Sequence, residues 1–273
     1  MSLLPIAYKD IVLPQKLYKY RNWSDKYDKR LLTHAEAYFA PHKSFKERSE
    51  LNLPQDYSNI DADFLDNWIF EDAMNRLQMP PSLARRFADF WMTRTPFENE
   101  DHKFKVEQDF QEDLNNKYGI LSMTTRADNQ VLWEDFSYDE GFVVGVNPTF
   151  MFKDELIQCT AGVVEYYPEM TPPKVKVLSR NKIERTEQMM ITTFSLPDDF
   201  EEEEEYRLVK YIEKTGRQFK IQSQCVEEVL IAESASKATV NEISEEVEKK
   251  FPNCKLFRQR KDTDSGEMHF DPI

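Results

Sequence analysis

Glycine and cysteine are scarce in this chain of 273 residues, which contains 6 Gly and 3 Cys. Neither the G-x-x-x-x-G-K-[ST] loop nor the G-x-G-x-x-G loop occurs, which argues against the common glycine-rich nucleotide sites. Cys159, Cys225 and Cys254 are widely spaced and form no C-x-x-C pair. This pattern indicates small core residues in a reducing compartment rather than a disulfide framework.

Long apolar runs and metal-like histidine spacings are also missing. No apolar stretch approaches the roughly 20 residues of a membrane span. The opening segment is interrupted by Pro5 and Asp10, unlike a signal peptide, so we expect a cytoplasmic protein. We expect no metal, because no zinc-type spacing relates the cysteines to the histidines, which are His34, His42, His102 and His269.

Positive charge is in deficit. Asp and Glu total 50 against 36 Lys and Arg, giving a net charge of -14. Because nucleic acids and anionic membranes attract cations, this balance argues against general binding to either. Hydrophobic residues make up 40% of the chain and aromatic residues 13%, enough to build a core.

The order of periodic segments predicts a single α+β domain over 1–273, with a mixed, mostly antiparallel sheet. Apolar residues recur at helical spacing between residues 60 and 117, with a proline break at Pro80–Pro81, and predict a helical insert of three helices. Ser82 is a candidate cap for the second helix. Strand-like segments surround the insert, and the main ones are 17–21, 37–40, 120–124, 141–146, 157–166, 206–211, 218–222, 226–231 and 255–260. Further helices are expected at 25–34, 128–136, 180–194 and 239–251.

One stretch, E-E-E-E-E-Y-R-L-V-K-Y at 201–211, joins five carboxylates to a β-prone segment. It places Glu205 near the start of a strand, where a carboxylate can be held in a fixed direction. Alternation along an extended chain predicts that Glu203 and Glu205 share one face while Glu204 lies on the other. Glu201 and Glu202 are expected in solvent.

Several stretches together resemble a bacterial family of uncharacterised proteins, domain of unknown function 2971. The stretches are Leu17–Arg21, Gly119–Ser122, Leu132–Phe136 leading into Gly141–Gly145, Glu203–Leu208, Val226–Leu230 and Cys254–Leu256. The resemblance covers nearly all of the chain outside the insert. Two features depart from the family pattern. Phe45–Arg48 replaces a Phe-Asn-Asp-Pro motif, and Phe136 stands where the family has Tyr, with no His in the following loop.

The order of Arg21, Ser122 and Glu205 also resembles ADP-ribosyltransferases of the Arg-Ser-Glu type. That resemblance implies NAD as the cofactor, Glu205 as the catalytic carboxylate and Glu203 as the residue that orients an acceptor. Arg21 would grip the pyrophosphate and Ser122 would fix the ribose. Tyr20 and Trp133 are the aromatic candidates for contact with the cofactor.

Two other interpretations remain open. In the first, the glutamate run is a solvated charged edge, Arg21 is a structural cation and Ser122 is an ordinary strand residue. In the second, aromatic residues of the insert form a surface for a protein partner, and the protein is a non-enzymatic interaction or sensor module, for example in phage defence. The insert aromatics are Trp68, Phe70, Phe87, Phe90, Trp91 and Phe104.

Overall fold

The structure is a computed structural model that describes residues 13–48, 53–58, 60–94, 100–137, 139–153, 159–176, 178–179, 182–212 and 216–273. Its strands are β1 Leu17–Asn22, β2 Glu36–Tyr38, β3 Tyr118–Thr124, β4 Gly141–Val146, β5 Thr160–Val163, β6 Glu165–Tyr167, β7 Ser195–Pro197, β8 Glu205–Tyr211, β9 Gln218–Lys220, β10 Val226–Ile231, β11 Lys255–Lys261 and β12 Met268–Pro272. Its α-helices are α1 Arg30–Thr33, α2 Ala62–Asn75, α3 Pro81–Met92, α4 Glu100–Lys117, α5 Gln130–Phe136, α6 Pro148–Lys153, α7 Lys182–Phe194 and α8 Lys237–Lys250. Short 3-10 helices span His42–Arg48, Asp198–Glu203 and Ser223–Cys225.

An eight-stranded sheet in the order β12-β11-β10-β4-β1-β3-β8-β5 forms the centre of the molecule. All of its neighbouring strands are antiparallel except β10 and β11, which are parallel and are joined through α8. The predicted α+β class with a mixed, mostly antiparallel sheet is therefore confirmed. None of the helices in the described ranges combines the length and apolar character that a bilayer crossing requires.

The apolar run of β4 explains its central place. All six residues of this strand are buried, because both faces of the sheet are covered by other elements. Gly141 allows β4 to begin in close contact with Ser137, the residue after α5, since a Cβ at position 141 would lie 1.6 Å from the carbonyl oxygen of Ser137. The run predicted as a buried strand at 141–146 thus has the predicted bounds.

The segment from 60 to 117 contains the three expected helices. The Asp61 side chain accepts a hydrogen bond of 2.7 Å from the backbone N–H of Phe64 and caps α2. Ser82 does not cap α3, because the helix already begins at Pro81, whose fixed φ suits a first helical position. The α2–α3 pair has its own small core around Leu65 and Ile69.

Other predicted elements changed in extent. The helix expected over 25–34 is reduced to α1, because the Asp25 carboxylate accepts backbone hydrogen bonds from Tyr27 and Asp28 and holds a turn. The polar tail contains β12, which pairs with β11. Residues 157 and 158 of one predicted strand, and residues 180 and 181 of one predicted helix, lie outside the described residues.

Candidate functional site

A cleft opens where β1 and β3 separate. β1 pairs with β4 along all six of its residues, but its register with β3 contains one pair, Tyr18 with Thr124. Beyond that pair, the Lys19 ammonium donates a hydrogen bond of 2.6 Å to the carbonyl oxygen of Ser122, across the gap. The cleft has a volume of about 360 Å³, which lies within the range of about 300–1,000 Å³ typical of small-molecule sites.

Five of the predicted site residues line this one cleft, and they are Tyr20, Arg21, Ser122, Glu203 and Glu205. They come from β1, β3, the 3-10 helix before β8, and β8 itself. Three adjacent strands of the sheet therefore carry the Arg, the Ser and the Glu. Trp133 lies apart from the cleft lining.

Glu205 is the most firmly held of these side chains. The Ser122 hydroxyl donates to its Oε1 atom, and the two strands place both residues on one face of the sheet. Arg207, two residues along the same strand, donates from Nε to Oε1 at 2.9 Å and from Nη2 to Oε2 at 3.0 Å. The side chain of Arg207 is fully buried and that of Glu205 is 3% exposed.

The ion pair decides the charge of Glu205. Burial raises the pKa of this carboxyl, but the charge and hydrogen bonds of Arg207, the Ser122 hydroxyl and the charge of Lys19 together hold the pKa below its ordinary value. Glu205 is therefore an ionised carboxylate in a nearly dry setting. Each carboxylate oxygen has two acceptor directions, and among the described residues Oε2 receives one donor, so it can accept one more hydrogen bond.

Arg207 was not among the residues predicted from the sequence. Its Nη1 also donates to the Thr193 carbonyl oxygen at 2.7 Å, which anchors the guanidinium to the end of α7. Buried His42 lies nearby, and burial together with the charge of Arg207 lowers the pKa of His42 to about 4, so its ring is neutral at pH 7. An arginine two residues after a glutamate in a β-prone segment, and hence on the same face of the strand, is the sequence signal that could have identified this pair.

The glutamate run is not one strand. Glu203 ends the 3-10 helix, and Glu204 has a left-handed backbone with φ of 47°, so β8 begins only at Glu205. Glu203 and Glu205 are both buried and Glu204 is exposed, as the alternation argument expected, although this turn produces the arrangement instead of a continuous strand. Glu204 pairs with Arg126 at 2.7 Å. Glu201 and Glu202 are exposed.

Arg21 approaches the cleft from a different side of the sheet. Alternation along β1 places it on the opposite face from Tyr20, and the pairing of Tyr18 with Thr124 places Tyr20 on the same face as Ser122 and Glu205. Arg21 therefore borders the cleft only through the gap between β1 and β3. Its Nε lies 3.2 Å from a carboxylate oxygen of Asp28, and the side chain is 20% exposed. A phosphate bound to Arg21 would have to share the guanidinium with Asp28.

The two aromatic candidates differ in position. The Tyr20 hydroxyl donates to the carbonyl oxygen of Arg126 at 2.9 Å and lies at the cleft. Trp133 is 4% exposed, packs edge-on against the Tyr20 ring at 5.5 Å, and donates from Nε1 to the carbonyl oxygen of Ala127 at 2.9 Å. Trp133 therefore supports Tyr20 from the core, and direct contact with a ligand in the cleft is not available to it.

The two departures from the resembling family both border this cleft. Phe45 and Phe136 line it, and the Arg207 guanidinium carbon lies 5.5 Å from the centre of the Phe45 ring. Phe136 thus stands where the resemblance led us to expect Tyr, whereas Phe45 matches the Phe that begins the family motif. Both rings lower the polarity of the cleft wall. No protein-family model matches the chain, and neither a curated protein nor a solved structure matches it.

Proposed function

We propose that the cleft between β1 and β3 binds NAD and that the protein is an ADP-ribosyltransferase-like enzyme of a bacterial cytoplasm. The observation that carries this proposal is the buried, ionised Glu205, fixed by Ser122 and Arg207 at the cleft wall. The proposal also retains the resemblance to domain of unknown function 2971, since the resembling stretches at 17–21, 119–122 and 203–208 border the cleft.

The chemistry is a glycosyl transfer. The bond between the ribose C1′ and the nicotinamide nitrogen breaks, and its electron pair leaves with the nicotinamide, which becomes neutral. The ribose gains oxocarbenium character, and a preorganised carboxylate in a water-poor site stabilises this developing positive charge. An acceptor then forms a bond to C1′ and loses a proton, for which Glu203 is the nearby carboxylate.

The contacts refine the role of each residue. The Ser122 hydroxyl is directed at Glu205, so we assign it to positioning the carboxylate. Oε2 of Glu205 keeps an acceptor direction for a ribose hydroxyl. Arg207 keeps the carboxylate ionised, which is the form that stabilises a cation, although it also withdraws part of the negative charge. Arg21 would contact a phosphate through the gap between β1 and β3, from the face opposite Ser122 and Glu205 and in competition with Asp28.

The test is NAD titration by calorimetry, combined with chromatographic detection of released nicotinamide. Ser122→Ala leaves the buried ion pair in place, so it should fold, keep NAD affinity within a few fold and slow nicotinamide release by roughly 10- to 100-fold. Glu205→Gln leaves Arg207 uncompensated, so it is assayed at a temperature where circular dichroism shows it folded; there it should lose about 100- to 1,000-fold, the loss expected for one transition-state contact. Glu204→Gln, an exposed neighbour, is the matched control and should behave as the wild type.

Two results would overturn the NAD proposal, and one further variant tests the phosphate contact. Absence of NAD binding by the wild-type chain would overturn the proposal, as would unchanged nicotinamide release in Ser122→Ala and Glu205→Gln. Asp28→Asn tests the phosphate contact, because removal of its charge should free Arg21 and tighten NAD binding. Weaker binding in Asp28→Asn would show that Arg21 is a structural cation.

A second candidate function is binding of a protein partner through the helical insert. The protein would then be the non-enzymatic interaction or sensor module that the sequence left open. The observation that favours it is the exposure of large apolar side chains on α3 and α4. Leu83 is 48%, Phe90 49% and Phe104 60% exposed. Substitution of the exposed Phe90 and Phe104 by Ser should leave NAD cleavage in a transferase, whereas a pure interaction module should lose its partner.

A further inference from the structure

A second concavity lies between α2 and α4, outside the cleft. One wall is a face of α2 that contains Phe64, Asn67, Trp68, Glu71 and Asn75, at spacings of three and four residues. The opposite wall is α4, and Leu178 also lines the concavity. Its volume of about 1,090 Å³ exceeds the usual range of small-molecule sites, about 300–1,000 Å³. At about 1.5 Å per residue, α2 gives the groove a length of roughly 20 Å.

The groove contains an apolar strip. Four half-buried side chains line it together with buried Leu178, and they are Phe64, Trp68, Val106 and Phe110. Phe64, Trp68 and Val106 pack with Leu178 on the α2–α3 core, and Phe110 packs on a separate cluster around Leu114. An apolar strip bounded by two helices is the kind of surface into which a third amphipathic helix packs its apolar face.

The rim is strongly acidic. Seven carboxylates line the groove against three cations, and the carboxylates are Asp61, Asp63, Glu71, Asp72, Asp109, Glu112 and Asp113. The cations are already paired: Arg76 with Asp72 at 2.8 Å, and both Lys117 and Arg185 with Asp113. Within the described part of the chain, no salt bridge reaches Asp63, Glu71 or Glu112.

We propose that this groove binds a basic amphipathic helix of a partner protein. Its apolar side chains would pack on the strip at Trp68 and Phe110, and its Lys and Arg side chains would face the carboxylates on both rims. The charge of the rim selects against nucleic acid, and the apolar strip would be left uncovered by a metal ion or a polyamine. The inference is independent of the NAD proposal and gives the second candidate function a partner class.

The probe is a designed 18-residue helix with leucines on one face and lysines elsewhere, labelled for fluorescence anisotropy. A peptide with the same composition in scrambled order and a peptide with Glu in place of Lys are the comparators. Glu71→Gln/Glu112→Gln should weaken binding of the designed helix by 5-fold or more. Glu245→Gln/Glu248→Gln makes the same change of net charge on exposed residues of α8 and should change binding less than 2-fold.

Cross-linking locates the site without any substitution. A carbodiimide that joins lysines to carboxylates should couple the bound peptide mainly to the groove residues. Binding that weakens equally in the two double variants, equal affinity for the scrambled peptide, displacement by spermidine, or cross-links spread over the surface would overturn the proposal. Because both double variants should bind NAD as the wild type does, a failure here is distinct from a failure of the NAD cleft.

Discussion

Arg207→Met removes the guanidinium that compensates the buried carboxylate of Glu205. Both side chains are essentially inaccessible to solvent and share two hydrogen bonds, so the substitution leaves an uncompensated charge in the interior. Breaking one side of a buried pair costs about 3–5 kcal/mol. The Thr193 carbonyl oxygen also loses a donor. We expect the free energy of unfolding, measured by urea denaturation at pH 7, to fall by about that amount.

The contribution of Glu205 to stability should change with pH in opposite directions in the wild type and in Arg207→Met. In the wild type, the pKa of folded Glu205 is lowered, so its contribution is present above the unfolded pKa and is lost as the pH falls through the folded pKa. In Arg207→Met, burial is opposed only by the Ser122 hydroxyl and the charge of Lys19, which are the smaller of the lowering effects, so we expect the folded pKa to rise above the unfolded value. The variant should therefore recover stability, relative to the wild type, as the pH falls from 8 towards 5.

A double-mutant cycle completes the test. Glu205→Gln alone leaves Arg207 uncompensated, whereas the double variant contains neither charge of the pair, so its loss should be clearly smaller than the sum of the two single losses. Arg126→Met is the control, since its side chain is 45% exposed and its ion pairs should contribute only about 0–1 kcal/mol. A loss for Arg207→Met no larger than that control, or additive single losses, would refute the reasoning.

Three further predictions concern other parts of the fold. His42 should titrate near pH 4 by NMR. Because its folded pKa is lowered, the free energy of unfolding should fall as the pH drops from about 6.5 towards 4. His42→Gln should lack this part of the pH dependence. Asp61→Ala removes the cap of α2 and should cost about 1 kcal/mol in urea denaturation, as Ser236→Ala should for α8; no loss in either would contradict the capping geometry. Gly141→Ala should prevent normal folding, because its Cβ would overlap a backbone carbonyl oxygen 1.6 Å away. Gly162→Ala is the control, since its Cβ would meet ordinary contacts at 3.7 Å. Similar circular dichroism melting curves for the two variants would show that the turn between α5 and β4 adapts.

Local pattern was sufficient for most of the secondary structure. The apolar run at 141–146 and the β-branched run at 226–231 predicted β4 and β10 with their observed bounds. The three helices between 60 and 117 followed from helical spacing and proline breaks. These patterns are informative because a side chain repeats its direction every two residues in a strand and about every 3.6 in a helix.

Elsewhere, local interactions with the backbone gave elements that differ from those predicted. Asp25 shortened a predicted helix by binding backbone N–H groups, and Glu204 entered the left-handed region, so a turn replaces the extended alternation that was expected from Glu203 to Glu205. The last predicted strand ended at 260, yet β12 forms at Met268–Pro272, because pairing with β11 satisfies its backbone. Hydrogen bonds between two backbones leave no mark in the apolar pattern of a polar segment.

The α+β class, the central strands, the helical segment and the excess of negative charge all followed from the amino-acid sequence. The same sequence pointed to Glu205 as a carboxylate near the start of a strand, whereas Ser122 entered only through the resemblance to Arg-Ser-Glu transferases. The folded chain was needed to show that Arg207 neutralises Glu205, that Trp133 belongs to the core, and that α2 and α4 enclose an acidic groove. The physical reason is that ionisation and access depend on burial and on through-space neighbours, which strand pairing and helix packing set together.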